Sequence, residues 1–258
     1  MILVIVAHPD DECLWFGDTI SRITNSGLNV LIICLTNKNH PERSAEFSAA
    51  CQSLRATGIM LDLPEGGNQR FPAFGSDISE ILQAQEIDID AISMVVTHSP
   101  HGEELRHWQH IQTYLQVKAF CRHHNRTMGF FSNHQLPFLE AHHSHPLLSS
   151  RLTESSVRFH FVTLLKGARF NLKLKGTFLR NMARLFKYTY RLARQTRGIK
   201  HVYTFKVDKD KKQRLIQTHY EARNLDAYAF FNHDSEYLYT EAIDRPQLIK
   251  DLIKCHLN

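Results

Sequence analysis

Apolar residues in the first hundred positions fall into short unbroken runs separated by stretches of helical spacing. Ile2 to Val6 is apolar throughout, as a strand covered on both faces requires. Asn29 to Leu35, with Val30, Leu31, Ile32, Ile33 and Cys34, is a second such run, and Ile92 to Thr97 a third. Helical patterns lie between them. One begins near the acidic residues after Pro9 and continues through Asp18–Ser26. Another covers Glu42–Thr57, with Phe47, Ala50, Cys51 and Leu54 recurring at helical spacing and Gly58 as its stop. A third covers Ile78–Gln85, and Gly66-Gly67-Asn68 marks a loop. Strands alternating with helices predict an α/β sandwich: a mostly parallel sheet covered on both faces and joined by right-handed crossovers. Sites in such sheets lie beyond the carboxyl ends of the strands, where strand order reverses.

Beyond about residue 130 the regularity fades. His134–Pro146 is rich in histidine and proline and reads as a loop; Val157–Leu165 reads as a strand, and Thr177–Gln195 as a helix ending at Gly198. His201–Val207 then predicts a strand and Lys211–Leu225 a helix. The expectation is one domain over residues 1–258. Its α/β core occupies 1–130, and 131–258 completes and covers it.

The chemistry gathers where two of these strands end. Directly behind Val6 stands Ala7-His8-Pro9-Asp10-Asp11-Glu12. Three carboxylates this close repel one another, and without a cation at least one would have to keep a proton. A divalent metal relieves the repulsion, and histidine beside carboxylate favours zinc or a similar transition ion over magnesium or calcium. The plainer alternative is an acidic helix N-terminus satisfying free backbone amides; it accounts for the acids but not for His8. Behind the Ile92 strand, Thr97-His98-Ser99-Pro100 leads to His107-Trp108-Gln109-His110. His107 and His110 are three apart and share a face on a first helical turn, so that one can bind a metal while the other faces a substrate. Alone, such a pair carries little weight in a chain with 17 histidines. Two loaded segments, each directly behind a strand, carry much more.

Charge adds one regional feature. The net charge is +5, yet residues 151–200 hold 13 Lys and Arg against the single acid Glu154. Arg180, Arg184, Lys187, Arg191 and Arg194 form a cationic stripe at helical spacing. It reads as the solvated face of an amphipathic helix or as a surface for anionic membrane; no recognition motif accompanies it, so nucleic acid is not expected. The five cysteines are odd in number and lack CxxC spacing. With no charged leader before Ile2, a reducing, cytoplasmic setting is the expectation. No GxGxxG or P-loop follows the first strand, which argues against a nucleotide-binding module. His123, His124, His142, His143 and His145 match no closed tetrahedral pattern.

Taken together, Ala7–Glu12, Thr97–Pro100 and His107–His110 resemble the LmbE-like (PIG-L) family of zinc N-deacetylases, over roughly residues 1–120. Arg43-Ser44-Ala45-Glu46 matches a further RxxE pattern of that family. The resemblance implies a Rossmann-like fold and a hydrolase that removes acetyl from an N-acetylated amino sugar. It implies Zn2+, or another divalent transition metal, on His8, Asp11 and His110. Asp10 becomes the general base, His107 the group that stabilises or protonates the collapsing intermediate, and Arg43 a substrate contact. Which aspartate is ligand and which base follows from the resemblance alone. An N-acyl antibiotic or thiol conjugate is the alternative substrate, and an inactive sugar-binding protein the alternative class. The chain departs from the family's pattern at Leu105, where a tyrosine is usual, and at Thr36-Asn37-Lys38-Asn39.

Overall fold

A computed structural model describes residues 1–65, 71–100, 102–103, 107–132, 199–220 and 234–241. Five parallel strands run β1 (Ile2–Val6), β2 (Val30–Thr36), β3 (Thr57–Leu63), β4 (Met94–Thr97) and β5 (Met128–Ser132). Two later strands, β6 (Ile199–Lys206) and β7 (Ser235–Glu241), complete a seven-stranded sheet of order β3-β2-β1-β4-β5-β7-β6. β7 pairs antiparallel with β5, from Gly129 opposite Thr240 to Ser132 opposite Tyr237. The helices are α1 (Asp11–Asn25), α2 (Pro41–Ser53), α3 (Gly75–Ala84), α4 (Trp108–His123) and α5 (Lys209–Tyr220). This is the expected mostly parallel α/β architecture.

Every residue of β1 and β2 is buried, which explains why both are apolar without alternation. Ile2, Val4 and Val6 pack with Phe16, Ile20, Phe47, Ile216 and Tyr220 beneath α1, α2 and α5. Leu3 and Ile5, facing the other way, are also solvent-free, and α4 packs on β1, β4 and β5 with α3 against it. Strand order reverses between β1 and β4, which pair directly from Ile2 opposite Met94 to Ile5 opposite Thr97. That crevice is where the open-sheet rule places a ligand, and both chemically loaded segments leave from it.

Three sequence expectations are corrected. The helix expected over Glu42–Thr57 ends at Ser53, and the chain turns at Arg55 (φ 53°) into β3. Gly58 is therefore not a helix stop but a strand residue. A Cβ there would sit 2.6 Å from Cys51 Sγ and 2.9 Å from Phe47 Cε1, so glycine lets α2 lie close on β3. β3 itself and β7 were not anticipated. The Ile92 run is shorter than expected, because Ile89–Ala91 forms a 3-10 turn and pairing begins at Met94. Residues Met1–His134 and His201–Asn258 form one compact unit and Gln135–Lys200 a second. The expected loop at His134–Pro146, strand at Val157–Leu165, helix at Thr177–Gln195, cationic stripe and Gly66–Asn68 loop lie outside the described residues. No helix among the described residues is long and apolar enough to cross a membrane.

Candidate metal and catalytic site

Local backbone geometry delivers each side chain. β1 ends at Val6, and the Asp11 carboxylate turns back to accept the His8 amide (2.8 Å), which closes the loop and starts α1. Asp10 is the N-cap, at φ 111° and ψ −28°. Behind β4, Glu103 Oε1 accepts the Ser99 amide at 2.7 Å while the Glu103 amide donates to Ser99 Oγ at 3.1 Å. Gly102, at φ 73°, accepts the His107 amide on its carbonyl (2.8 Å), and a Cβ there would meet His107 O at 2.6 Å. Only glycine fits that approach. The tight loop sets His107 as the N-cap of α4, and His110 follows in the first turn.

The six residues expected at the site are brought together. His8 Nδ1 lies 3.3 Å from Asp11 Oδ2, His110 Nε2 lies 3.3 Å from Asp11 Oδ1, and His8 Nδ1 and His110 Nε2 are 3.2 Å apart. For a tetrahedral ion with bonds of about 2.0–2.1 Å, neighbouring donors stand about 3.3–3.4 Å apart. The N,N,O donor chemistry and the His8–His110 spacing fit zinc or a similar ion, with each histidine nitrogen facing a different oxygen of Asp11. Among the described residues, two threesomes place one donor atom each within 4.8 Å of one another, His8–His107–His110 and Asp11–His98–His110; neither is the expected His8–Asp11–His110 set, which shares two members with each.

Neighbours fix which nitrogens are free. Gln109 Nε2 reaches the Pro64 carbonyl (3.4 Å), which orients its Oε1 toward His8 Nε2 at 2.8 Å. His8 therefore carries its proton on Nε2 and presents Nδ1. His110 Nδ1 meets Glu103 Oε2 at 2.5 Å; a carboxylate only accepts, so that nitrogen holds the proton and Nε2 is presented. Asp11 Oδ1 also accepts the Trp15 indole N–H at 3.1 Å.

Electrostatics separates the two aspartates. Burial disfavours a charge on Asp11, yet its carboxyl is held well below its usual range by the histidines that ring it, His110 first, and by the His8 amide and the Trp15 indole N–H that donate to it. Burial and the neighbouring Asp11 charge push Asp10 up to about 7, against the opposing pull of Arg43. Arg43 reaches Asp10 Oδ2 at 3.3 Å and the Pro9 carbonyl at 2.5 Å. Burial among the His110 and His8 rings lowers His107 to about 4, so its ring is neutral. It stands 4.8 Å from His8 and 4.5 Å from His110, ring centre to ring centre. Its Nδ1 has no hydrogen-bond partner among the described residues.

Three contributors were given no role from sequence, His98, Glu103 and Gln109, and Glu12 was read only as one of three crowded acids. His98 is fully buried and stacks on His110 at 3.9 Å. Burial opposes its charge while Glu103 and Asp11 draw its pKa up to about 9, but the Ala7 amide donates to its Nε2 at 3.0 Å. That backbone donor would clash with a second proton, so we assign His98 as neutral. The available signal was position: His98 directly follows β4, and Glu103 stands seven residues before His110. Leu105 lies outside the described residues.

The PIG-L family model, GlcNAc-PI de-N-acetylase, matches residues 3–121, the span that builds the site. That match to the PIG-L, or LmbE-like, family covers a little under half of the chain. A probable N-acetylglucosaminyl-phosphatidylinositol de-N-acetylase of Dictyostelium discoideum is 42% identical over 38 residues, only 15% of this chain and 15% of that protein. Among solved structures, a deacetylase triple mutant of the teicoplanin biosynthetic pathway superposes with a TM-score of 0.55 at 14% identity, covering 95% of this chain and 99% of the other. An antimicrobial pseudoaglycone deacetylase gives 0.52 at 15% identity, covering 95% and 98%. At such identities the two structures establish a shared fold.

Proposed function

We propose that this protein is a zinc-dependent hydrolase of the PIG-L family that removes the acetyl group from an N-acetylated amino sugar, releasing acetate and a free amine. The observation that carries the reading is the triangle of His8 Nδ1, Asp11 and His110 Nε2 at 3.2–3.3 Å, with Asp10 beside it. His8, Asp11 and His110 hold the metal. Bound there, zinc supplies a Lewis acid for the amide carbonyl and lowers the pKa of a water toward ~7.

The remaining steps belong to side chains. Asp10, whose carboxyl titrates near neutrality, takes a proton from the attacking water. The C–N bond then breaks, and Asp10 returns that proton to the departing nitrogen. His107, with an unengaged ring nitrogen, hydrogen-bonds the oxygen on which negative charge develops. The neutral ring described above suits a donor role rather than a standing imidazolium. Arg43 keeps the Asp10 carboxylate in place and contacts the substrate beside it.

An amide of another class, such as an N-acyl antibiotic or thiol conjugate, would use the same groups. A panel of N-acetylated sugars, free, nucleotide-linked and lipid-linked, tests the reading. Acetate release that requires added zinc and stops with chelator is expected. Turnover that persists after complete metal removal would contradict it. Association with anionic membrane through the basic 151–200 segment, and a cytoplasmic setting, accompany this proposal. Vesicle cosedimentation with and without anionic lipid tests the former.

A further inference from the structure

Asp10 stands at φ 111°, ψ −28°, a conformation that a non-glycine residue keeps only where its surroundings enforce it. Two sets of contacts do so. On the backbone side, the Asp10 amide donates to Glu12 Oε2 at 3.2 Å. Glu12 is fully buried, and its other oxygen, Oε1, accepts the Tyr220 hydroxyl at 2.7 Å. On the side-chain side, Arg43 grips Asp10 Oδ2 and the Pro9 carbonyl, and its guanidinium lies 5.9 Å from the centre of the Tyr220 ring. Tyr220 therefore meets both arms. It is the last residue of α5, a hundred positions beyond the family-matching segment, and at 1% exposure it is out of reach of a substrate.

We propose that Tyr220 is a positioning residue for Asp10: its hydroxyl fixes Glu12, Glu12 fixes the Asp10 amide, and the Asp10 carboxylate is held in register with the His8–Asp11–His110 triangle. Glu12, the third acid of the cluster, is then a strut rather than a metal ligand, since one of its oxygens is held by Tyr220 of α5 and the other by the Asp10 amide. This inference rests on the reading of Asp10 as the base. It adds that the C-terminal helix holds that base in place.

Tyr220→Phe tests it, because the ring beside Arg43 stays and one hydroxyl goes. In the full-length protein, exchange of the Asp10 amide followed by NMR is expected to accelerate about tenfold or more, the effect of losing one hydrogen bond to a charged group. The amides of β1 and β2 should exchange as before. On an N-acetylated amino sugar, kcat is expected to fall about tenfold, with KM and the zinc affinity measured by calorimetry unchanged. In an Asp10→Asn background, Tyr220→Phe should cost nothing further. Unchanged Asp10 exchange, acceleration spread evenly over β1 and β2, or an additive loss in the double variant would each overturn the proposal. Should Tyr220→Phe fold poorly, Glu12→Gln must give the same local acceleration. Full activity of Asp10→Asn alone would defeat the base assignment instead, and leaves the exchange result to be read separately.

Discussion

Two buried polar clusters lie on opposite halves of α1, and they are built on different plans. At the kink of α1, where Phe16 departs from helical geometry, the solvent-free Glu236 of β7 accepts the Thr19 amide (2.9 Å), the Thr19 hydroxyl (2.6 Å) and the Lys212 ammonium (2.7 Å). One acid meets one base, and the carboxylate caps the restarted helix. That cluster closes on itself. At the start of α1, three successive acids and four histidines crowd together, His107 keeps an Nδ1 without a hydrogen-bond partner among the described residues, and His8 Nδ1 and His110 Nε2 face each other at 3.2 Å. Structural polar clusters satisfy every member internally. Here the cluster does not close on itself, which supports the metal site proposed above.

The strongest way to break this contrast is to unbalance the closed cluster. Lys212→Met leaves Glu236 buried without its cation, and a loss of about 3–5 kcal/mol is expected from the denaturation midpoint. Adding Glu236→Gln should recover most of it. Zinc affinity per folded molecule should not change in either protein. At the open cluster the effect falls on turnover instead. Asp10→Ala is expected to retain zinc and to lose about a hundredfold or more in kcat, with an unfolding midpoint near that of the parent; equal loss of metal and activity would show that the roles of Asp10 and Asp11 are exchanged. Gln109→Leu removes the acceptor that fixes the His8 tautomer, and calorimetry should show zinc bound about 10–100-fold more weakly. Gly58→Ala, remote from both clusters, forces a methyl against Cys51 and Phe47 and should cost about 1–3 kcal/mol of stability with kcat untouched.

Much of the site was legible because its residues follow buried strands, whose unbroken apolar runs are the plainest local signal in the chain. β1, β2 and β4 announce themselves, and so do the motifs behind them. β3 does not, because it is an edge strand. Thr57-Gly58-Ile59-Met60-Leu61-Asp62-Leu63 is mostly exposed or half-exposed, and its glycine mimics a helix stop. β7 is hidden for a different reason. Its Glu236 is among the least exposed of the described residues, and distant partners, Lys212 at 24 positions and Thr19 at 217, make that tolerable. The crowding of Asp10, Asp11 and Glu12 was visible, but its resolution was not. Asp11 turns to the histidines, Asp10 to Arg43 and Glu12 to Tyr220, and two of those three partners come from elements that sequence spacing does not connect to the motif. His98 and Glu103 were missed because each acts by orienting a neighbour through tertiary contact.

The central claim is that His8, Asp11 and His110 converge on one hydrolytic cation. A zinc-soaked crystal measured at the zinc edge tests it most directly. One anomalous peak is expected in bonding contact with His8 Nδ1, an Asp11 oxygen and His110 Nε2, and with neither His98 nor Glu12. A peak held by Asp11, His98 and His110 without His8, or no peak at saturating zinc, would contradict it.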